Sequence, residues 1–341
     1  MTDTTGALRA PVLKVALALG AVYLIWGSTY LAIRFAIETM PPFLMAACRY
    51  LTAGALLYGW SRLRGAPRPS LLHWRSAVAV GAFLLLGGNG GVVWAEQRVD
   101  SGLAALLIST EPLWIVLLFW LGSGRKRLHP RVIAGMLLGF AGVMLLVRPG
   151  SSDSVDLLGA AALVLASLSW AWGSLYGQRA ALPASPLTAT GMQMLGGGAL
   201  LLVASAVTGE PARFTLAAVS ARSLLALAYL VVFGAIVAFT AYVWLLRVAP
   251  PVLVSTYAYV NPVVAVFLGW ALAGEPLTAR ILGAAAVILT GVVLITTAQR
   301  KPAAEKKDCP RDLTPGPSPK GEGRKTSAQS LSPSPLGEGL G

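Results

Sequence analysis

Trp26-Gly27-Ser28-Thr29-Tyr30 is nearly restated at Trp172-Gly173-Ser174-Leu175-Tyr176, 146 residues further along the chain. Each copy lies inside a long apolar run, and each opens a block of five such runs. A bilayer-spanning helix needs about 20 mostly apolar residues, and residues 12 to 297 divide into ten runs of that kind with short connections. The pattern predicts an all-α polytopic membrane protein with ten transmembrane helices. Five is odd, so the second block crosses the bilayer in the opposite sense to the first. Such an inverted repeat is a common build for secondary transporters, with the solute held near the midplane between the halves.

The runs predict helices over 15–35, 42–60, 76–95, 102–122 and 132–148, then 157–177, 186–208, 222–246, 252–273 and 279–297. The first five-helix unit is 12–148 and the second 157–297. The repeat extends past the opening motif. Trp94 matches Trp244, Glu111-Pro112 matches Asn261-Pro262 and Trp120 matches Trp270, each at an offset of 150 residues. Gly54-Ala55-Leu56-Leu57 matches Gly198-Ala199-Leu200-Leu201, which sets Arg49 opposite Gln193. The first run shows no small-residue cleavage site and is read as a retained helix rather than a signal peptide. After Arg300, Pro, Gly, Ser, Lys and Glu dominate, and residues 302–341 are expected to be a disordered tail unable to bury a core.

Composition agrees with a membrane class. Apolar residues make up 56% of the chain and charged ones 12%, against about a quarter charged in a soluble domain. The net charge of +13 does not point to nucleic acid, because the basic residues concentrate in alternate loops and no nucleic-acid motif is present. With the N-terminus inside, the inner loops and flanks hold twelve (Arg9, Lys14, Arg62, Arg64, Arg68, Arg75, Arg125, Lys126, Arg127, Arg131, Arg179, Arg247). The outer ones hold six (Arg34, Arg98, Arg148, Arg213, Arg222, Arg280). That asymmetry predicts both termini cytoplasmic. Cys48 and Cys309 give no disulfide framework or metal site, and no cofactor is expected. His73 and His129 are read as solvated loop residues.

Polar groups inside the apolar runs need a reason, since an ionisable side chain there costs about 2.5–3.5 kcal/mol on insertion scales. Glu111, midway along helix 4, either carries a proton or meets a cationic solute in a water-filled cavity, or pairs for packing. Arg49 either holds an anionic group or snorkels toward the interface. Trp26, Ser28 and Thr29, with Trp172 and Ser174 in the second copy, suit a cavity wall; alternatively the glycine permits close helix contact and the hydroxyl bonds its own helix. Gly87-Gly88-Asn89-Gly90-Gly91 weakens helix 3 by roughly 1 kcal/mol per glycine. That segment is either a gate or lining presenting Asn89, with Gly88 and Gly90 as the flexible points, or a small-residue seam. Pro112 and Pro262 each remove a backbone bond at matched points. Thr110, Glu111, Tyr257, Tyr259 and Asn261 cluster just before them, as expected of a transport site. Gln193, opposite Arg49, joins the expected lining. Glu96 is read as interfacial, with a cavity role as the other reading.

Trp26-Gly27-Ser28-Thr29-Tyr30, Pro41-Pro42 followed by Arg49-Tyr50, Gly88-Asn89-Gly90, Ala95-Glu96 and the run from Ser255 to Val266 (Ser-Thr-Tyr-Ala-Tyr-Val-Asn-Pro-Val-Val-Ala-Val) carry a resemblance. On these residues the chain resembles the drug/metabolite transporter superfamily, specifically the EamA-like ten-helix exporters of the YedA type. The resemblance spans about residues 15–297 and excludes the tail. It implies a plasma-membrane exporter of small metabolites or drugs, with a cavity lined mainly by helices 1, 3, 4, 6, 8 and 9. Glu111 departs from that type, where the position is usually apolar.

The expected function is therefore a secondary active transporter working by alternating access, proton-coupled through Glu111, for a metabolite, amino-acid-like or drug-like solute. No ATP-binding motif supplies another energy source. The alternative is a passive facilitator, exchanger or channel. An intramembrane enzyme is not expected, because both histidines lie in loops and the acids are isolated. Monomer and homodimer both remain open.

Overall fold

A computed structural model describes residues 11–122, 129–147, 156–249, 251–254 and 256–298. Arg9, Arg125, Lys126, Arg127, Arg148, Ser255 and the tail 302–341 lie outside the described residues, as does the side chain of Tyr259. All the regular structure among the described residues is helical. We label its long helices α1 (Val12–Ile37), α2 (Pro42–Leu63), α3 (Leu71–Ala95), α4 (Ser101–Gly122) and α5 (Pro130–Val147). The second set is α6 (Leu157–Gly177), α7 (Pro186–Val207), α8 (Ala221–Tyr229, Leu230–Val237 and Ala238–Val248), α9 (Tyr257–Ala273, preceded by a turn at Pro251–Val254) and α10 (Ala279–Ala298).

Six helices are long and apolar enough to cross a membrane: α1, α3, α4, α6, α7 and α8 over Ala221–Tyr242. Shorter apolar stretches occupy Pro130–Leu146, Val260–Ala273 and Ala279–Ile295. Large apolar side chains stand exposed in stripes, such as Leu13, Leu17 and Leu24 on α1 and Leu158 and Leu165 on α6. A water-soluble protein does not present such stripes; hydrocarbon covers them here. The protein is a polytopic, all-α membrane protein.

The helices start where their chemistry dictates. Pro42 and Pro186 sit in the first turns of α2 and α7, where a missing N–H costs nothing. α3 begins five residues earlier than the hydropathy suggests. Ser70 Oγ accepts from His73 N and Ser70 N donates to His73 Nδ1, both at 3.3 Å. His73 is thus a capping-box residue in the first turn of a helix rather than a loop residue.

Two helices depart from α geometry in the middle. Ala82–Gly90 of α3 and Leu230–Val237 of α8 are wound as π-helix. In α3 the glycines give the α-form little to lose, so a wider winding competes. α4 breaks at Ser109-Thr110, between Ser101–Ile108 and Glu111–Gly122. Pro112 has no N–H for the carbonyl of Ile108, and Ser167 Oγ from α6 donates to that carbonyl at 3.4 Å. Ser109 and Thr110 turn their hydroxyls back onto Leu106 O (2.7 Å) and Leu107 O (2.6 Å). Pro262, the matching proline, lies inside α9, and the interruption there falls earlier, before Tyr257.

α2 packs on α7 and α5 on α10; α1 lies against α8 and α9, and α6 against α3 and α4. The α5–α10 contact brings backbones together. A methyl group on Gly291 would stand 2.6 Å from Gly135 O, and one on Gly135 2.7 Å from Gly291 O. Only glycine permits that approach.

Candidate functional site

The first Trp-Gly-Ser segment lies midway along α1, a helix that packs on α8 and α9. Gly27 lets α1 press on α9, where a methyl group would meet Val264 Cβ at 2.6 Å and Asn261 O at 3.1 Å. That closeness turns Trp26 toward α8 and α9. Its Nε1 donates to Gly234 O in the π-segment of α8 at 3.2 Å. Its ring meets those of Tyr242 and Tyr257 at 5.2 Å each, and those two tyrosines meet edge-on at 5.8 Å. Three tilted rings from three helices make an aromatic corner able to hold an apolar or cationic face.

The neighbouring hydroxyls are spoken for. Ser28 Oγ bonds Tyr229 OH at 2.7 Å and Ile25 O at 2.9 Å, and Thr29 Oγ1 donates to Trp26 O at 2.6 Å. Asn261, with its amide oriented to fit its surroundings, donates to Tyr257 O (3.2 Å) and Tyr23 O (3.3 Å). Tyr23 OH also bonds Thr256 Oγ1. Asn261 therefore joins α9 to α1 through backbone carbonyls, a packing role.

Glu111 opens the second segment of α4 and is half-buried. Ser174 Oγ approaches its Oε1 at 3.5 Å, and the carboxylate lies within electrostatic reach of Tyr30, Tyr242 and Tyr257. Its nearest named partner is thus on α6, while its charge reaches the tyrosines of the aromatic corner. Thr110 is buried beside Ser167, 3.3 Å away.

The two tryptophans of the repeated motif differ. Trp172 is exposed, on the same outward stripe of α6 as Leu158 and Leu165, seven and fourteen residues back. Its ring lies 6.4 Å from that of Phe83. It is not in the aromatic corner. Gly87, Gly88 and Gly91 press on Ser169, Trp170 and Ala166 of α6, and Gly90 faces Leu201 of α7. The glycine segment is both a seam and a wide-wound stretch, and Asn89 lies in it, half-buried. Gln193 is half-buried, and its backbone carbonyl forms the close α7–α3 contact at Gly81.

Arg49 is buried and does not snorkel. Its guanidinium lies 4.8 Å over the Tyr50 ring, a methyl group on Gly234 would be 3.3 Å from its Nη2, and its Nε has no partner. Glu96, expected at the interface, is also buried, at the end of a segment (Gly91–Ala95) that packs on α6, α2 and α1.

The same end of the bundle holds groups that the sequence reading missed. Glu275 accepts from Arg34 Nη1 (3.0 Å), Ser101 N (2.8 Å), Ser101 Oγ (2.7 Å) and Gly102 N (3.0 Å), capping the start of α4. Glu210 accepts from Phe43 N (3.1 Å) and Leu44 N (2.8 Å) at the start of α2. Both acids stand in Gly-Glu-Pro, at Gly209-Glu210-Pro211 and Gly274-Glu275-Pro276, and both glycines are left-handed, at φ of 71° and 66°. The recurrence of that tripeptide was the available signal. Arg34 also pairs with Asp100 (2.7 Å), Arg222 with Glu38 (3.2 Å) and Arg98 with Asp156 (3.9 Å).

A polytopic helical bundle with an acid and aromatic rings gathered at its centre is the build of a membrane transporter. The chain belongs to the EamA-like transporter family, which it matches over residues 13–148 and 157–297. It is 42% identical to the inner membrane transporter YedA of Escherichia coli (strain K12) over 280 residues, covering 82% of this chain and 89% of that one. It is 27% identical to protein PecM of Dickeya dadantii (strain 3937), covering 84% and 95% of the two chains. One crystal structure shares the fold at a TM-score of 0.57 and 23% identity, covering 83% of this chain and 96% of the other.

Proposed function

We propose that the protein is a secondary active transporter that exports small metabolites or drugs across the plasma membrane by alternating access, driven by protons. In this reading all ten long helices cross the bilayer as two inverted five-helix units, 12–148 and 157–297, with both termini cytoplasmic. The pairing of helices supports it. α1 with α9 has its counterpart in α6 with α4, α1 with α8 in α6 with α3, and α2–α7 and α5–α10 are their own counterparts. The two π-segments fall in α3 and α8, which are also counterparts.

The observation that carries the reading is the aromatic corner of Trp26, from the first unit, with Tyr242 and Tyr257, from the second, and a carboxylate, Glu111 of α4, within electrostatic reach of both tyrosines. A cationic or aromatic solute and a proton compete for such an acid, which is the minimum requirement for exchange. Trp26, Tyr242, Tyr257 and Glu111 form the proposed contact set; Trp172, Ser174 and Asn89 join it as the bundle changes state.

The test begins with the solute. Metabolites exported by cells lacking and overproducing the protein are compared, and the solute found is loaded into proteoliposomes. We expect counterflow, acceleration by an inward proton gradient, and loss of that acceleration in Glu111→Gln. Flux without trans-stimulation sinks the carrier reading in favour of a pore. Unchanged gradient dependence in the variant removes Glu111 from coupling.

A further inference from the structure

Among the described residues, three carboxylates keep under a tenth of their surface exposed: Glu96 (5%), Glu210 (8%) and Glu275 (6%). Two of them show what a buried carboxylate needs. Glu210 takes two backbone N–H groups, and Glu275 takes four donors, one of them a guanidinium. Glu96 takes none: both of its oxygens are buried and neither meets a donor.

Cations are near enough to change this, yet they are engaged elsewhere. Arg34 of α1 lies within electrostatic reach of Glu96 but is held by Asp100 and Glu275. Arg49 of α2 is also in reach, but lies over Tyr50 and turns Nη2 toward Gly234 of α8. Glu275, from the loop after α9, adds a second negative charge. A buried ionised carboxylate with neither a protein donor nor an ion pair is too costly to persist; such a group takes up a proton instead.

The geometry points to Glu96 as a proton-binding site of the outer face: its carboxyl holds a proton while that face is latched, and gives it to the outer medium when the face opens. On opening, the O–H bond breaks, the proton passes to water, and the carboxylate left behind is hydrated or pairs with Arg49. The release step rests on the alternating-access reading; the proton site does not. It is distinct from Glu111, which has a hydroxyl beside it and is only half-buried.

The sign of the pH effect follows. Glu96 stands one residue beyond the apolar span Leu71–Ala95. Burial pushes its carboxyl well above the usual range, Glu275 pushes it further, and Arg34 and Arg49 oppose. A group whose pKa is raised in the closed state stabilises that state fully below its ordinary value, about 4.3 for glutamate. The stabilisation is lost as pH rises through the closed-state value. Raising the outer pH therefore opens the outer face.

The test uses the full chain in nanodiscs and two readouts. Infrared spectra are compared among the wild type, Glu96→Gln and Glu111→Gln, watching the C=O stretch of a protonated carboxyl and its shift on deuteration. A cysteine in place of buried Met40, in a Cys48→Ser, Cys309→Ser background, is labelled with an impermeant maleimide across the pH range. We expect Glu96→Gln to lose a protonated-carboxyl band that Glu111→Gln keeps, and its Met40→Cys labelling to stop responding to pH. A band that persists in Glu96→Gln overturns the proposal. Loss of the band with pH-independent labelling in the parent too keeps the proton site and overturns the alternating-access reading. Should Glu96→Gln fail to fold, Glu96→Asp serves, with its band expected to be retained and shifted; an unshifted band counts against the site.

Discussion

Glu275→Gln tests the latch directly. All four donors to this carboxylate come from the first unit of the proposed repeat: Arg34 from α1, and Ser101 N, Ser101 Oγ and Gly102 N from the start of α4. Glu275 itself belongs to the second unit, so these bonds exist only while the two units meet at this end. Glutamine keeps the shape and one acceptor oxygen but turns an NH2 group toward a backbone N–H. One of the bonds is lost and the others no longer have the carboxylate's charge. Hydrogen bonds to charged groups contribute about 1.5–3 kcal/mol and neutral ones about 0.5–1.5. Three weakened bonds and one lost give a net cost of about 3 kcal/mol, after allowing for non-additivity. At about 1.4 kcal/mol per factor of ten, the closed-to-open ratio falls roughly 100-fold. Labelling of Met40→Cys should accelerate by that factor while the far end is unaffected. Asp100→Asn is the control, because Arg34 is then still held by Glu275 and its exposed pair with Asp100 contributes only about 0.2–1 kcal/mol. Equal labelling in Glu275→Gln and the parent, or an equal effect from Asp100→Asn, refutes the latch.

Other substitutions probe packing and the aromatic corner. Gly291→Ala places a methyl group 2.6 Å from Gly135 O, a backbone atom that no rotamer change relieves, and should lower the melting temperature. Gly283→Ala, on the same helix with nothing within 4 Å, should raise it slightly by removing roughly 1 kcal/mol of glycine penalty. Trp26→Phe gives up the bond to Gly234 O, about 0.5–1.5 kcal/mol, and leaves much of the ring contact; Trp26→Ala removes both, about 3–5 kcal/mol. Thermal melts in one detergent rank the two, and an equal loss in both would mean that the ring contacts contribute nothing.

The sequence carries the helices because hydropathy needs only a count of apolar residues, and it carries the α4 break because Ser109-Thr110 and Pro112 state it locally. Other features depend on what lies far away in the chain. Glu275 reads as a loop acid, and nothing near it indicates that Ser101 and Arg34 will converge on it from 174 and 241 residues away. Glu96 looks interfacial at the end of a helix, until α6, α2 and α1 pack around that end. Tyr242 escapes notice because its counterpart at an offset of 150 is Val92, so the repeat gives it no emphasis. Trp172 shows the same dependence on distant surroundings: it matches Trp26 in the motif yet here faces outward with Leu158 and Leu165.

That mismatch follows from the proposed repeat. Two like units related by inversion lie in different conformations whenever one end of the bundle is closed and the other is not, so matched residues have unlike surroundings. Opening the outer end would then give each unit the other's arrangement. Trp26 now donates to Gly234 O, and the position that matches Gly234 at an offset of 150 is Leu84. In the opposite state Trp172 should therefore turn inward onto Leu84, whose neighbour Phe83 already lies 6.4 Å from it, ring to ring. A Leu84→Cys, Trp172→Cys pair, with Cys48 and Cys309 replaced by serine, should cross-link faster when Glu275→Gln weakens the latch. The rate should fall again at low outer pH, where Glu96 is protonated. A cross-linking rate indifferent to the Glu275 substitution would mean that the exposed tryptophan is a fixed lipid-facing residue, and that the two units do not exchange conformations.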